Sequence, residues 1–91
     1  MLINIGYGNY VNTDHMISVS RFDSAPMKRL VQNAREEGRV VDATQGRKTK
    51  SVIVSNNGNM IFSALLPETI AGRYRPNRPD DIMEAGGDEN E

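Results

Sequence analysis

The sequence predicts a small α+β domain, an antiparallel and barrel-like sheet carrying one main helix and a short C-terminal helix. Three observations lead there. One amphipathic stretch has clear helical spacing, short apolar runs broken by turn residues lie on both sides of it, and a proline-led segment follows the last run. At 91 residues the chain holds one domain at most.

The first expected strands are INI, NYVN and MISVS, separated by Gly6-Tyr7-Gly8 and by the polar connector NTDH. Gly6-Tyr7-Gly8 is a G-x-G, but another strand pattern follows it where a phosphate cradle needs a helix N-terminus, so it reads as a hairpin turn. The main helix is SAPMKRLVQNAREEG. Ser24 can cap it, Pro26 fits its first turn and Gly38 supplies a left-handed stop. Met27, Leu30, Val31 and Ala34 follow the i, i+3, i+4, i+7 rule and form its apolar stripe. RVVDAT, KSVIVS and NMIFSALL continue the strand series, the last two joined by the tight-turn signal Asn56-Asn57-Gly58. PETIAGRYR then forms the second, shorter helix, weakened in its middle by Gly72.

Val52-Ile53-Val54 and Met60-Ile61-Phe62 are continuous apolar runs, which require cover on both faces of their sheet. One helix on so short a chain offers little for the second face, so self-association is the economical solution. The plainer alternative is that one residue of each triplet is simply exposed.

The net charge of −1 hides an asymmetry. All eleven Lys and Arg residues precede Pro79, with only six acids among them, giving +5; residues 80–91 hold six acids and no cation, giving −6. A basic body points to an anionic partner. The final stretch, rich in proline, glycine and acid, has only Ile82 and Met83 as large apolar residues, too few to offset the entropy of ordering it. The expected organisation is a folded domain over residues 1–75 and a disordered acidic tail over 76–91. With no cysteine, thiolate chemistry and disulfides are excluded. The N-terminus lacks the basic and apolar regions of a secretion signal, and no apolar run reaches the length that spans a bilayer, so a cytoplasmic protein without membrane contact is expected.

Catalysis finds little support. His15, beside Asp14 in a polar connector, reads as a solvated turn residue, and no nucleophile or metal-ligand constellation accompanies it. Neither an enzyme, a cofactor nor a small-molecule substrate is expected. The informative segment is Arg47-Lys48-Thr49-Lys50, three cations in four residues with no acid between Asp42 and Glu68. Phosphates would give a reason to concentrate them, and the Thr49 and Ser51 hydroxyls could position phosphate oxygens. Strand alternation sends Lys48 and Lys50 to one side and Arg47 and Thr49 to the other, unless the turn twists them together. An edge-protecting charge run is the competing explanation. Arg21 and the Lys28-Arg29 pair are further single candidates, and Arg73, Arg75 and Arg78 cluster around Tyr74. Scattered aromatics make no single-strand stacking platform, so double-stranded DNA suits the composition better than single-stranded RNA.

The order N-I-G-x-G-N at residues 4–9, SAPMKRLVQNARxxG at 24–38, VDATxGRKTKSVI at 41–53 and LPETIAGR at 66–73 resembles the bacterial extracellular matrix regulatory family typified by RemA. The resemblance implies a LytTR-like fold with an added helix, and a nucleoid-associated transcriptional regulator of biofilm matrix genes acting as a ring-like homo-oligomer. It implies DNA contacts at Arg47, Lys48 and Lys50, and it points to ring-interface positions at Pro26, Val52, Ile53, Val54, Ile61 and Phe62. Thr49 and Arg21 complete the expected DNA-binding set. A structural scaffold or an RNA-binding ring is the alternative. Gln45 departs from an aromatic common in the family and Lys48 from a common arginine, and lysine lacks the bidentate fork.

Overall fold

The computed structural model describes residues 1–75. Its strands are β1 (Leu2–Gly6), β2 (Asn9–Asn12), β3 (Met16–Arg21), β4 (Val40–Asp42), β5 (Ser51–Ser55) and β6 (Met60–Ser63). Its α-helices are α1 (Ala25–Glu36) and α2 (Pro67–Gly72), and a single 3-10 turn, Thr13–His15, links β2 to β3. The acidic tail expected over 76–91 lies outside the described residues.

Helix α1 forms for the local reasons its sequence offers. The Ser24 hydroxyl accepts from the Met27 N–H at 3.2 Å, Pro26 occupies the first turn, and Gly38 leaves the helix at a φ of 72°. Val31 and Ala34 are buried and Met27 half-buried, but Leu30 remains 50% exposed on the outer flank of the stripe.

The architecture is α+β, but the sheet is neither closed into a barrel nor wholly antiparallel, which corrects the expectation. Strands β1 and β2 form an antiparallel hairpin of their own, while the other four form an open sheet in the order β3-β5-β6-β4. Pairing is antiparallel between β3 and β5 and between β5 and β6, but parallel between β4 and β6. The physical cause is α1. A helix that carries the chain from one sheet edge to the other returns it in the direction it left, and β3 and β4 accordingly run the same way with the β5–β6 hairpin between them. They form opposite edges and do not pair to close the sheet.

The apolar triplets are covered on both faces by the chain itself. Val52 opposes Phe62 and Val54 opposes Met60, and these four face α1, where Val31 and Ala34 meet them. Ile53 opposes Ile61 and faces the other way, toward Ile3 and Ile5 of the hairpin, Ala43, Leu65 and Ile70 of α2. Val52 and Ile53 are wholly buried and Phe62 nearly so. These three interface candidates are therefore core residues, Val54 and Ile61 are half-buried, and only Pro26 of that set is exposed. The inference from apolar strands to a neighbouring subunit overlooked the β1–β2 hairpin as a covering layer.

Polar contacts bind the layers. The Asn9 amide donates to the carbonyls of Gly6, Tyr7 and Ala43, joining the hairpin turn to the loop after β4. The buried Ser51 hydroxyl donates to the Leu65 carbonyl, and Arg73 donates to the Asn4 carbonyl at 3.1 Å, tying α2 to β1. No helix among the described residues is long and apolar enough to cross a membrane.

Candidate functional site

The main cationic feature is a groove on the α1 side of the sheet. Its walls come from three segments brought together by the sheet. The turn from β3 into α1 contributes Arg21, Phe22 and Asp23; α1 contributes Lys28 and Arg35; and the approach to β5 contributes Lys48, Thr49 and Lys50, with Leu66 closing one end. The groove encloses about 590 Å³. Five of its residues are cations and one, Asp23, is an acid.

Backbone pairing explains why the lysines point there. The Phe22 N–H donates to the Lys50 carbonyl at 3.2 Å and the Lys50 N–H donates to the Ser63 carbonyl at 2.9 Å, so Lys50 extends the sheet one residue beyond β5. Residues two apart on such a strand share a face, and Lys50 therefore follows Val52 toward α1. Lys48 joins it in the groove. Thr49 lines the groove too, against the expected alternation, while Arg47 does not.

Arg47 turns instead toward the hairpin. Its guanidinium carbon stands 3.7 Å from the centroid of the Tyr7 ring, and Nη1 donates to the Gln45 carbonyl at 3.3 Å. Arg21 is bound in the groove by Asp23, through Nε to Oδ1 at 3.3 Å and Nη2 to Oδ2 at 3.2 Å. That hydrogen bonding, then the guanidinium charge, lowers the Asp23 carboxyl below its ordinary range and raises Arg21 in return. Arg21 thus presents a partly neutralised fork, and Lys28, Lys48 and Lys50 are exposed on the same groove.

Arg35, not among the cations singled out from the sequence, also belongs to the groove. Its guanidinium carbon lies 5.2 Å from the Phe62 centroid, and the Phe62 ring meets Phe22 edge-on at 5.5 Å. The signal for it was available: Lys28 and Arg35 are seven residues apart, two turns along one helix face. Nearby, Asp42 accepts from the Thr44 hydroxyl at 2.7 Å and from the Thr44 N–H at 2.9 Å. Those bonds first, and the charge of Arg35 after the opposing effect of burial, hold the Asp42 carboxyl below its usual value.

Of the second basic cluster, Arg73 is tied to Asn4, Tyr74 is about half exposed, and Arg78 lies outside the described residues. His15 is exposed at the end of the 3-10 turn.

Five of the ten cations among the described residues of this α+β fold, Arg21, Lys28, Arg35, Lys48 and Lys50, line one groove. The chain belongs to the RemA-like family: the model of the extracellular matrix regulatory protein A-like family matches residues 2–74. A relative from Lachnoclostridium phytofermentans is 60% identical over 72 residues, covering 79% of each chain. One from Synechococcus elongatus is 51% identical over 79 residues, 87% of this chain and 91% of its own, and one from Geobacillus thermodenitrificans is 48% identical over 84 residues, 92% and 94%. All three carry the name "Putative regulatory protein". The chain is thus a member of a family of regulatory proteins.

Proposed function

We propose that this protein regulates transcription by binding double-stranded DNA through phosphate contacts in the cationic groove, as a homo-oligomer, and that its targets include genes for extracellular matrix and biofilm formation. The observation that carries the reading is the convergence of Arg21, Lys28, Arg35, Lys48 and Lys50 on one groove with Asp23 alone opposing them. Cations packed together repel, and a polyanion that releases its counterions on binding relieves that repulsion. Binding rather than catalysis is the role assigned, in the cytoplasm where the chromosome lies. The family description supplies the link to matrix genes.

Self-association is supported by exposed apolar residues rather than by the strands. Pro26 and Leu30 stand four residues apart, hence on one outer face of α1, and both are exposed. Ile17, on edge strand β3, is 66% exposed. A ring would place several grooves along one duplex and multiply weak contacts.

The test is an anisotropy titration of a mixed-sequence DNA duplex at several salt concentrations, beside an RNA duplex of the same sequence. The expected result is DNA affinity that falls with salt, with a log–log slope of roughly 0.9 per phosphate engaged, and weaker RNA binding. Absence of DNA binding at low salt overturns the reading, and stronger binding to RNA reassigns the groove to the A-form helix.

A further inference from the structure

We infer that Tyr7 is a positioning residue that fixes Arg47 as a second DNA contact, separate from the lysine groove. The inference rests on the DNA-binding reading above. Arg47 is exposed and, alone among the three cations of the 47–50 run, is absent from the groove. Its side chain is nevertheless held. The guanidinium carbon is 3.7 Å from the centroid of the Tyr7 ring, and Nη1 bonds the Gln45 carbonyl. The Arg47 N–H also donates to the Thr44 carbonyl at 3.0 Å, so backbone and side chain are both constrained.

The other half of the contact is equally constrained. Tyr7 is the middle residue of the β1–β2 turn and has a φ of 56°, a conformation that tyrosine rarely adopts. It is kept there by its surroundings. The ring packs against the core cluster that contains Ile3, Ile5 and Leu65, and the Asn9 amide clamps the Tyr7 carbonyl to that of Ala43. The turn therefore presents an aromatic face beside the loop that carries Arg47.

A guanidinium positioned over a ring keeps its charge, and N–H groups on its rim remain able to reach a phosphate or a base edge. Much of the rotamer entropy that an exposed arginine loses on binding is then already lost in the free protein. Tyr7 thus raises affinity without touching DNA, and Arg47 gives the domain a DNA contact on the hairpin side in addition to the groove on the α1 side.

The test combines variants of the full chain with a mixed-sequence DNA duplex. Removing the ring with Tyr7→Leu should weaken binding about two- to fivefold while leaving the salt slope unchanged, because no charge is lost. Arg47→Ala should weaken binding and lower the slope by about 0.9. Tyr7→Leu should add nothing further in the Arg47→Ala background, and Tyr7→Phe should bind like the parent. A merely structural Tyr7 would give the same loss whether or not Arg47 is present, and that result overturns the inference. Unchanged affinity in Tyr7→Leu with a loss in Arg47→Ala also overturns it, yet leaves the DNA reading intact. If no variant, including Lys48→Ala with Lys50→Ala, changes binding, the DNA reading itself has failed. Should Tyr7→Leu not fold, proton NMR of the parent decides: ring-current upfield shifts of the Arg47 side-chain protons support the contact, and random-coil shifts overturn it.

Discussion

The buried hydroxyl of Ser63 donates to the carbonyl of Ile5 at 2.9 Å and accepts from the Leu65 N–H at 3.0 Å. One small side chain in β6 thereby serves two backbone groups, one of them 58 residues away in the hairpin. Ser63→Ala should leave both without this partner and destabilise the fold by about 1–3 kcal/mol. Urea denaturation read by circular dichroism checks this. A midpoint equal to the parent's would show that the Ser63 hydroxyl adds nothing to the apolar packing and the Asn9 and Arg73 bonds that hold the hairpin.

The groove makes a graded prediction. Lys28→Ala, Lys48→Ala and Lys50→Ala remove exposed side chains, and each should change stability by no more than about 0.5 kcal/mol. Each should lower the salt slope of DNA binding by about 0.9, and the triple variant by the sum. Arg35→Ala should do more, since it also strips a cation from the Phe62 ring, 5.2 Å away. A triple variant with undiminished affinity would dissociate the groove from DNA altogether.

Burial reverses the places the sequence suggested for Val52, an expected interface residue that is buried, and Leu30, a helix-stripe residue that is half exposed. Val52→Asp places an unpaired charge in a fully buried site and should unfold the chain rather than merely dissociate it. Leu30→Asp, at a half-exposed helix position, should preserve the circular dichroism spectrum and reduce the mass seen by light scattering. A monomeric parent protein at tens of micromolar, roughly the range of such contacts, would end the oligomer reading.

Acid should loosen the loop after β4. The Asp42 carboxyl is held low by the two Thr44 bonds and then by Arg35, so its folded pKa lies below the unfolded one. The stability it lends is present above the ordinary aspartate value near 4 and is lost as pH falls through the lower, folded value. Asp42→Ala should flatten the pH dependence of unfolding in that acid window and lower stability at neutral pH by about 1 kcal/mol. A pH dependence identical to the parent's would mean that the buried Thr44 finds another acceptor.

What the sequence revealed was chiefly local. Ser24, Pro26 and Gly38 announced α1 because caps act within a turn of the residues they serve. Asn56-Asn57-Gly58 announced the β5–β6 turn for the same reason: its Gly58 N–H donates to Ser55 at 2.9 Å and its Asn57 side chain accepts from Asn59. The parallel pairing of β4 with β6 was not legible, since it depends on where a helix sets the chain down, and three residues of strand give little pattern. Cover for Ile53 was misassigned because Ile3 and Ile5 look like an isolated hairpin until α2 and Leu65 are in place. Within the site, Lys48 and Lys50 stood out by clustering, whereas the pairing of Arg47 with Tyr7, forty residues apart in the chain, leaves no periodic trace.

The closure of the hairpin face by the far end of the domain bears on synthesis. β1 and β2 are joined by a short turn, and contacts so close in sequence form early. Yet Ile3 and Ile5 find Ile53, Leu65 and Ile70 only when those residues have left the ribosome. Until then the nascent chain carries an uncovered apolar ribbon with unpaired edges, the feature most open to wrong pairing. Where several copies emerge from one message, that ribbon is the first surface that neighbouring chains present to each other.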